Sequence, residues 1–103
     1  DEKELWRKID TIIEDREEFM HSLLLVYKST HPRFISHLKE RNLTELEMEY
    51  CCLFAIGMNG KDIGFYTNQS RHYHISSSIR KKLGTDINNI NLNTYITNLL
   101  KSN

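Results

Sequence analysis

The side chains of this 103-residue chain best suited to chemistry are five histidines, two adjacent cysteines and the hydroxyl and basic residues of its second half. Nucleophilic catalysis needs a Ser or Cys beside a His held by an acid, and a metal centre needs ligands that converge. His21, His31 and His37 are spread over the expected elements, so no converging set of ligands is read from them. His72 and His74 are two residues apart, so on a helix they point about 200° away from each other and cannot share an ion. Cys51 and Cys52 are neighbours, which is unsuitable geometry for an ordinary disulfide. They read as small apolar residues in a reducing cytoplasm. Gly57, Gly60 and Gly64 follow no strand pattern, so they do not make a phosphate loop. The expectation is a protein with no catalytic residues, no metal, no cofactor and no small-molecule substrate.

A different chemistry suits the residues from Lys61 to Lys81. Arg71 offers a fork of donors that fits a guanine edge, and Tyr73 and His74 add a phenol and an imidazole able to reach bases or phosphates. Asn68 and Ser70 stand just before them, and Ser77 and Lys81 share the same expected helix face. Lys61, near free backbone N–H groups at a helix start, suits a phosphate. These eight residues are the candidate DNA contacts. The competing reading is a surface patch in which Tyr73 lies back on its own domain.

The elements that must position them are punctuated clearly. Thr44 with Glu47 three residues later is a capping box and opens a helix, in which Leu46, Tyr50, Leu53 and Phe54 share a face. Gly57 closes it as a left-handed C-cap. Asn59 with Asp62 starts a short helix through Ile63 and Tyr66, which the polar run Thr67 to Ser70 breaks. A third helix carries an apolar stripe of His72, Ile75, Ile79 and Leu83, and Gly84 stops it. A capped helix, a short helix, a tight turn and a helix with a basic outer face is the pattern of a helix-turn-helix, whose last helix enters the major groove.

The residues Leu43, Thr44, Glu47, Gly57, Asn59, Gly60, Lys61, Asp62 and Ile63, with the close Ile79, Arg80, Lys81, Lys82, Leu83, Gly84, resemble the LuxR-type DNA-binding domain of bacterial transcriptional regulators. The likeness covers about two fifths of the chain. It implies an all-α fold, sequence-specific binding to double-stranded DNA and a recognition helix near 70–83, and in the family's register Cys51 faces the core while Cys52 lies nearer solvent. The interval from Ile63 to Gly84 is two residues shorter than the family pattern, which implies a remodelled turn or helix start. On this reading residues 43–103 form the DNA-binding domain, and 1–42 form a helical extension of one long and one short helix.

That extension holds no Gly or Pro from Glu2 to Lys28. Leu5, Ile9, Ile12, Arg16, Phe19, Leu23 and Val26 alternate by four and three, the seam of a coiled coil with Arg16 as its polar insertion. Beside it runs a second stripe of Trp6, Ile13, Met20, Leu24 and Tyr27. A face this broad suits both its own domain and a partner helix, so a homodimer through the seam is expected; the duller alternative is a helix simply folded back. Thr30 reads as the N-cap of a helix with Pro32 in its first turn, buried through Phe34, Ile35 and Leu38. Asn91 caps a last helix bearing Leu92, Tyr95, Ile96, Leu99 and Leu100, a helix the family often uses to dimerise.

Net charge is zero, but its distribution is uneven. Residues 1–50 carry eight Lys or Arg against twelve Asp or Glu, and residues 51–103 carry six against two, so the basic half holds the expected recognition helix. No run approaches the roughly 20 apolar residues of a membrane span, so no membrane contact is expected. The chain starts at Asp1 rather than Met, as a fragment or processed protein would. The function this supports is DNA binding in cytoplasmic transcription regulation. The alternative from another class is a helical protein interaction module without DNA binding.

Overall fold

A computed structural model describes residues 1–67, 72–86 and 88–102. It is all-α: α1 (Glu2–Thr30), α2 (Pro32–Glu40), α3 (Glu45–Ala55), α4 (Gly60–Thr67), α5 (His72–Leu83) and α6 (Leu92–Ser102). None of the helices is long and apolar enough to cross a membrane among the described residues.

The central element is α3. Met48 and every residue from Tyr50 to Phe54 are buried, because α1, α4, α5 and α6 pack around it. The unbroken apolar run from Tyr50 to Phe54 covers more than a full turn, and such a run needs packing on every side. Its start is the expected capping box: the Thr44 hydroxyl accepts from the Glu47 N–H at 3.2 Å, and the Glu47 carboxylate accepts from the Thr44 N–H at 2.8 Å. It ends at Gly57, whose φ of 107° a side chain would resist.

Two details of this helix differ from the sequence reading. Cys52 is fully buried rather than near solvent, because α1 covers that side of α3 and brings Tyr27 and Lys28 beside it. Leu46, placed by periodicity on the buried face, is exposed. It sits in the first turn, at the rim of a groove shared with His74, Ile75 and Ser78, where no helix of the described residues covers it.

The first helix is about 43 Å long at 1.5 Å per residue, and Asp1 caps it by accepting from the Glu4 N–H at 2.9 Å. Only its C-terminal part enters the core, through Met20 and Leu24, with Leu23 and Tyr27 half-buried. Thr30 is not the N-cap of α2. It is the last residue of α1, its hydroxyl donating to the Val26 carbonyl at 2.9 Å, and His31 takes the cap position without a side-chain bond to the α2 backbone, its Nδ1 meeting the Thr30 hydroxyl at 2.8 Å instead. Pro32 sets that boundary by forcing His31 out of the helical region, to φ −133° and ψ 61°. Phe34, Ile35 and Leu38 are buried as expected, and His37 Nε2 meets the Tyr95 hydroxyl at 3.1 Å, joining α2 to α6.

Candidate nucleic-acid interface

The unit that would face DNA is built from α3, α4 and α5. Asn59 and Asp62 cap α4 reciprocally: Asn59 Oδ1 accepts from the Asp62 N–H at 2.9 Å, and Asp62 Oδ2 from the Asn59 N–H at 3.3 Å. This leaves Lys61 exposed in the first turn. Ile63 on α4, and Ile79 and Leu83 on α5, are buried against α3. Gly64 is what allows α5 to approach. A methyl group there would come within 3.3 Å of His72 Cδ2. His72 in turn stacks on the buried Tyr50 ring at 6.0 Å between centroids, 24° from parallel. His72 is thus a packing residue at the hinge of the two helices, on the core side where the sequence stripe put it.

With Ile79 inward, the 100° step of a helix turns Tyr73, His74, Ser77 and Lys81 to the opposite side. Tyr73 is 78% exposed, His74 and Lys81 are exposed, and Ser77 is half-buried. The Tyr73 and His74 rings meet edge to face at 6.2 Å, so Tyr73 leans on its neighbour and not on the domain. Asn68, Ser70 and Arg71 lie outside the described residues.

The three cations at the end of α5 divide by what they touch. Lys82 donates to Glu47 Oε1 at 2.6 Å and is committed to the fold. Arg80 donates from Nη1 to the Ile90 carbonyl at 3.2 Å, bracing the loop that follows. Lys81 projects without an ion pair among the described residues. Burial pushes the Glu47 carboxyl up, but hydrogen bonds from Lys82, Ser78 and the Thr44 backbone, and the Lys82 charge, outweigh it and hold it below the ordinary range. The same carboxylate therefore caps α3 and fixes α5 to it. Gly84, at φ 77°, ends α5, and buried Thr85 is satisfied by its N–H and hydroxyl, both donating to the Arg80 carbonyl.

The expected dimer seam is split by the fold. Leu5, Ile12 and Val26 are exposed, Ile9 and Leu23 are half-buried, and Leu23 packs on the core. Arg16, the polar break in the seam, lies over the Tyr66 ring of α4 at 5.6 Å, and Phe19 meets the same ring edge-on at 5.9 Å. The two residues that interrupt or continue the seam in sequence thus hold α1 against the short helix of the candidate motif.

Neither cysteine is poised for chemistry. Burial raises both thiols, that of Cys52 to about 12, and the neighbouring Glu49 carboxylate pushes Cys52 further the same way. One convergence escaped sequence reasoning: His21 of α1 faces Glu45 and Glu49 of α3, with one ligand atom of each within 4.8 Å of the others. Glu45 and Glu49 stand four apart in the sequence, but their meeting with His21 depends on how α1 docks.

No known protein family, curated protein or solved structure matches this chain.

Proposed function

We propose that this chain binds double-stranded DNA sequence-specifically, as a LuxR-like helix-turn-helix regulator of bacterial transcription working in the cytoplasm. The observation that carries the reading is the division of α5. Ile79 and Leu83 lock one side into the core, while Tyr73, His74 and Lys81 stand out on the other with no intramolecular ion pair among the described residues. Tyr73, His74, Ser77 and Arg71 are the proposed base readers, Asn68, Ser70 and Lys81 flank them, and Lys61 is the proposed phosphate contact. An exposed tyrosine beside a histidine and a lysine gains little in water, but it matches the edges and phosphates of a major groove.

Selection from a random duplex library followed by anisotropy titration tests this. A preferred sequence should emerge, and Arg71→Ala and His74→Ala should each weaken its binding by about 1 to 3 kcal/mol. Lys61→Ala should weaken all sequences alike and flatten the salt dependence by about one unit. If no sequence is enriched and no salt-dependent binding is seen, the helical interaction module replaces the DNA reading.

A second copy of the chain suits the free half of α1. Leu5, Trp6, Ile12 and Ile13 are all exposed on one side of it. With Arg16 withdrawn onto Tyr66, the repulsion that two seam arginines would cause is absent from that half. Paired helix-turn-helix units also read half-sites one helical turn apart. Sedimentation equilibrium should show a dimer at tens of micromolar that Ile12→Asp abolishes. A monomer at millimolar concentration would rule it out.

A further inference from the structure

We propose that His21, Glu45 and Glu49 form a binding site for a divalent ion of the zinc type, which staples α1 to the start of α3. His21 Nδ1 and Glu45 Oε1 are 3.7 Å apart, too far for a hydrogen bond of about 2.7 to 3.2 Å. Two ligands on one tetrahedral zinc, at bonds of 2.0 to 2.1 Å, stand about 3.3 Å apart. At 3.7 Å the pair stands within about 0.4 Å of that ligand spacing, and with the imidazole charged it is also within ion-pair reach. Glu49 completes the group, all three ligand atoms lying within 4.8 Å of one another.

The backbone under these ligands is fixed while their ends are free. Met20 beside His21, and Met48 between the two glutamates, are buried in the α1 and α3 packing. The side chains of His21 and Glu45 are 58% and 56% exposed, so the remaining closure needs only rotation of their ends. One imidazole with two carboxylates is a donor set that suits zinc, whereas calcium and magnesium take oxygen ligands in larger number. Water fills the remaining position. The site lies on the α1–α3 seam, apart from the outer face of α5, so it stands or falls independently of DNA binding.

Calorimetric titration of the metal-free full chain with zinc chloride, and with magnesium chloride as the contrast, decides it. One zinc per chain is expected, with no magnesium binding, and zinc should raise the urea midpoint because it binds the folded form alone. His21→Ala and Glu49→Gln should each weaken zinc at least tenfold and lose the stabilisation, whereas His74→Ala should bind as the unmodified chain does. His21 is exposed, so its variant remains folded, and circular dichroism verifies that. Absence of zinc binding tighter than about 100 micromolar, or equal binding by His21→Ala, overturns the site.

Discussion

Removing Lys82 should cost more than removing its partner. The Glu47 side chain is 7% exposed and that of Lys82 is 30%, and their contact is 2.6 Å. Replacing Lys82 by Met keeps the aliphatic stem but leaves a carboxylate in the interior with its capping bonds and the Ser78 hydrogen bond and no cation beside it. A charge-assisted hydrogen bond contributes about 1.5 to 3 kcal/mol, and breaking a fully buried pair costs about 3 to 5. Because Lys82 is partly wet, we expect a loss of about 2 kcal/mol. Glu47→Gln should cost about 1 kcal/mol, since Gln still serves a capping box and the freed ammonium can turn to water. The double variant should recover about 1 kcal/mol against the sum of the singles.

The pH dependence fixes the cause. Glu47 has a lowered pKa in the fold, so its contribution is full above its ordinary value of 4.5 and lost as pH falls through the depressed folded value. In Lys82→Met the lysine's hydrogen bond and charge are lost while the burial stays, so the Glu47 pKa rises relative to the parent and the penalty shrinks in acid. Urea unfolding followed by circular dichroism should therefore show the gap between the two proteins closing from pH 7 toward pH 3. A gap below about 0.5 kcal/mol at pH 7, or one unchanged by pH, would mean that stem packing and not the ion pair ties α5 to α3.

Other expectations follow from packing. Ile79→Ala should cost about 2 to 5 kcal/mol by urea titration, and a loss below about 1 would place the wrong side of α5 inward. Gly64→Ala gains about 1 kcal/mol of helix propensity but crowds His72, which the Tyr50 ring backs; overpacking at about 1 to 3 kcal/mol should leave the variant less stable. A stabilised Gly64→Ala would show that His72 can retreat. Cys51 and Cys52 should react with a thiol reagent only when the chain unfolds, so modification at pH 8 should follow the unfolding equilibrium; rapid labelling of either in native buffer would contradict their burial.

What the sequence made legible was local. Thr44 with Glu47, Asn59 with Asp62, and Gly57 and Gly84 act over four residues or fewer, and each occupies the position its chemistry requires. The inward stripe of α5 was equally readable from the spacing of Ile75, Ile79 and Leu83. The misplaced residues are those whose surroundings come from far along the chain. Cys52 is covered by α1, and Leu46 is left open because the groove beside it has no lid among the described residues. Thr30 was misread for a nearer reason, since the helix before Pro32 runs two residues past the expected end. Arg16 looked like a flaw in a coiled coil because its partner Tyr66 lies 50 residues away. The candidate contacts Lys61, Tyr73, His74 and Lys81 were readable as an exposed set, but the meeting of His21 with Glu45 and Glu49 was not, since periodicity carries no information on which helix faces which.

The uneven support along α1 means that its amides do not share one fate. Beyond Met20 and Leu24 they are locked behind the core, so their hydrogens exchange with solvent only when the whole chain opens. Toward Glu2 the same helix is held, among the described residues, by bonds within itself, its own ladder, the Asp1 cap and the Thr11 hydroxyl on the Arg7 carbonyl, and a helical arm of that length is marginal by itself in water. Its hydrogens should escape by fraying, orders of magnitude faster, with the boundary near the Arg16 and Phe19 contacts on Tyr66. Protection of the outer half then becomes a quantity set from outside the domain: dilute, it is lost within seconds, and with a second copy laid along Leu5 and Ile12 it grows with protein concentration while the inner half stays unchanged.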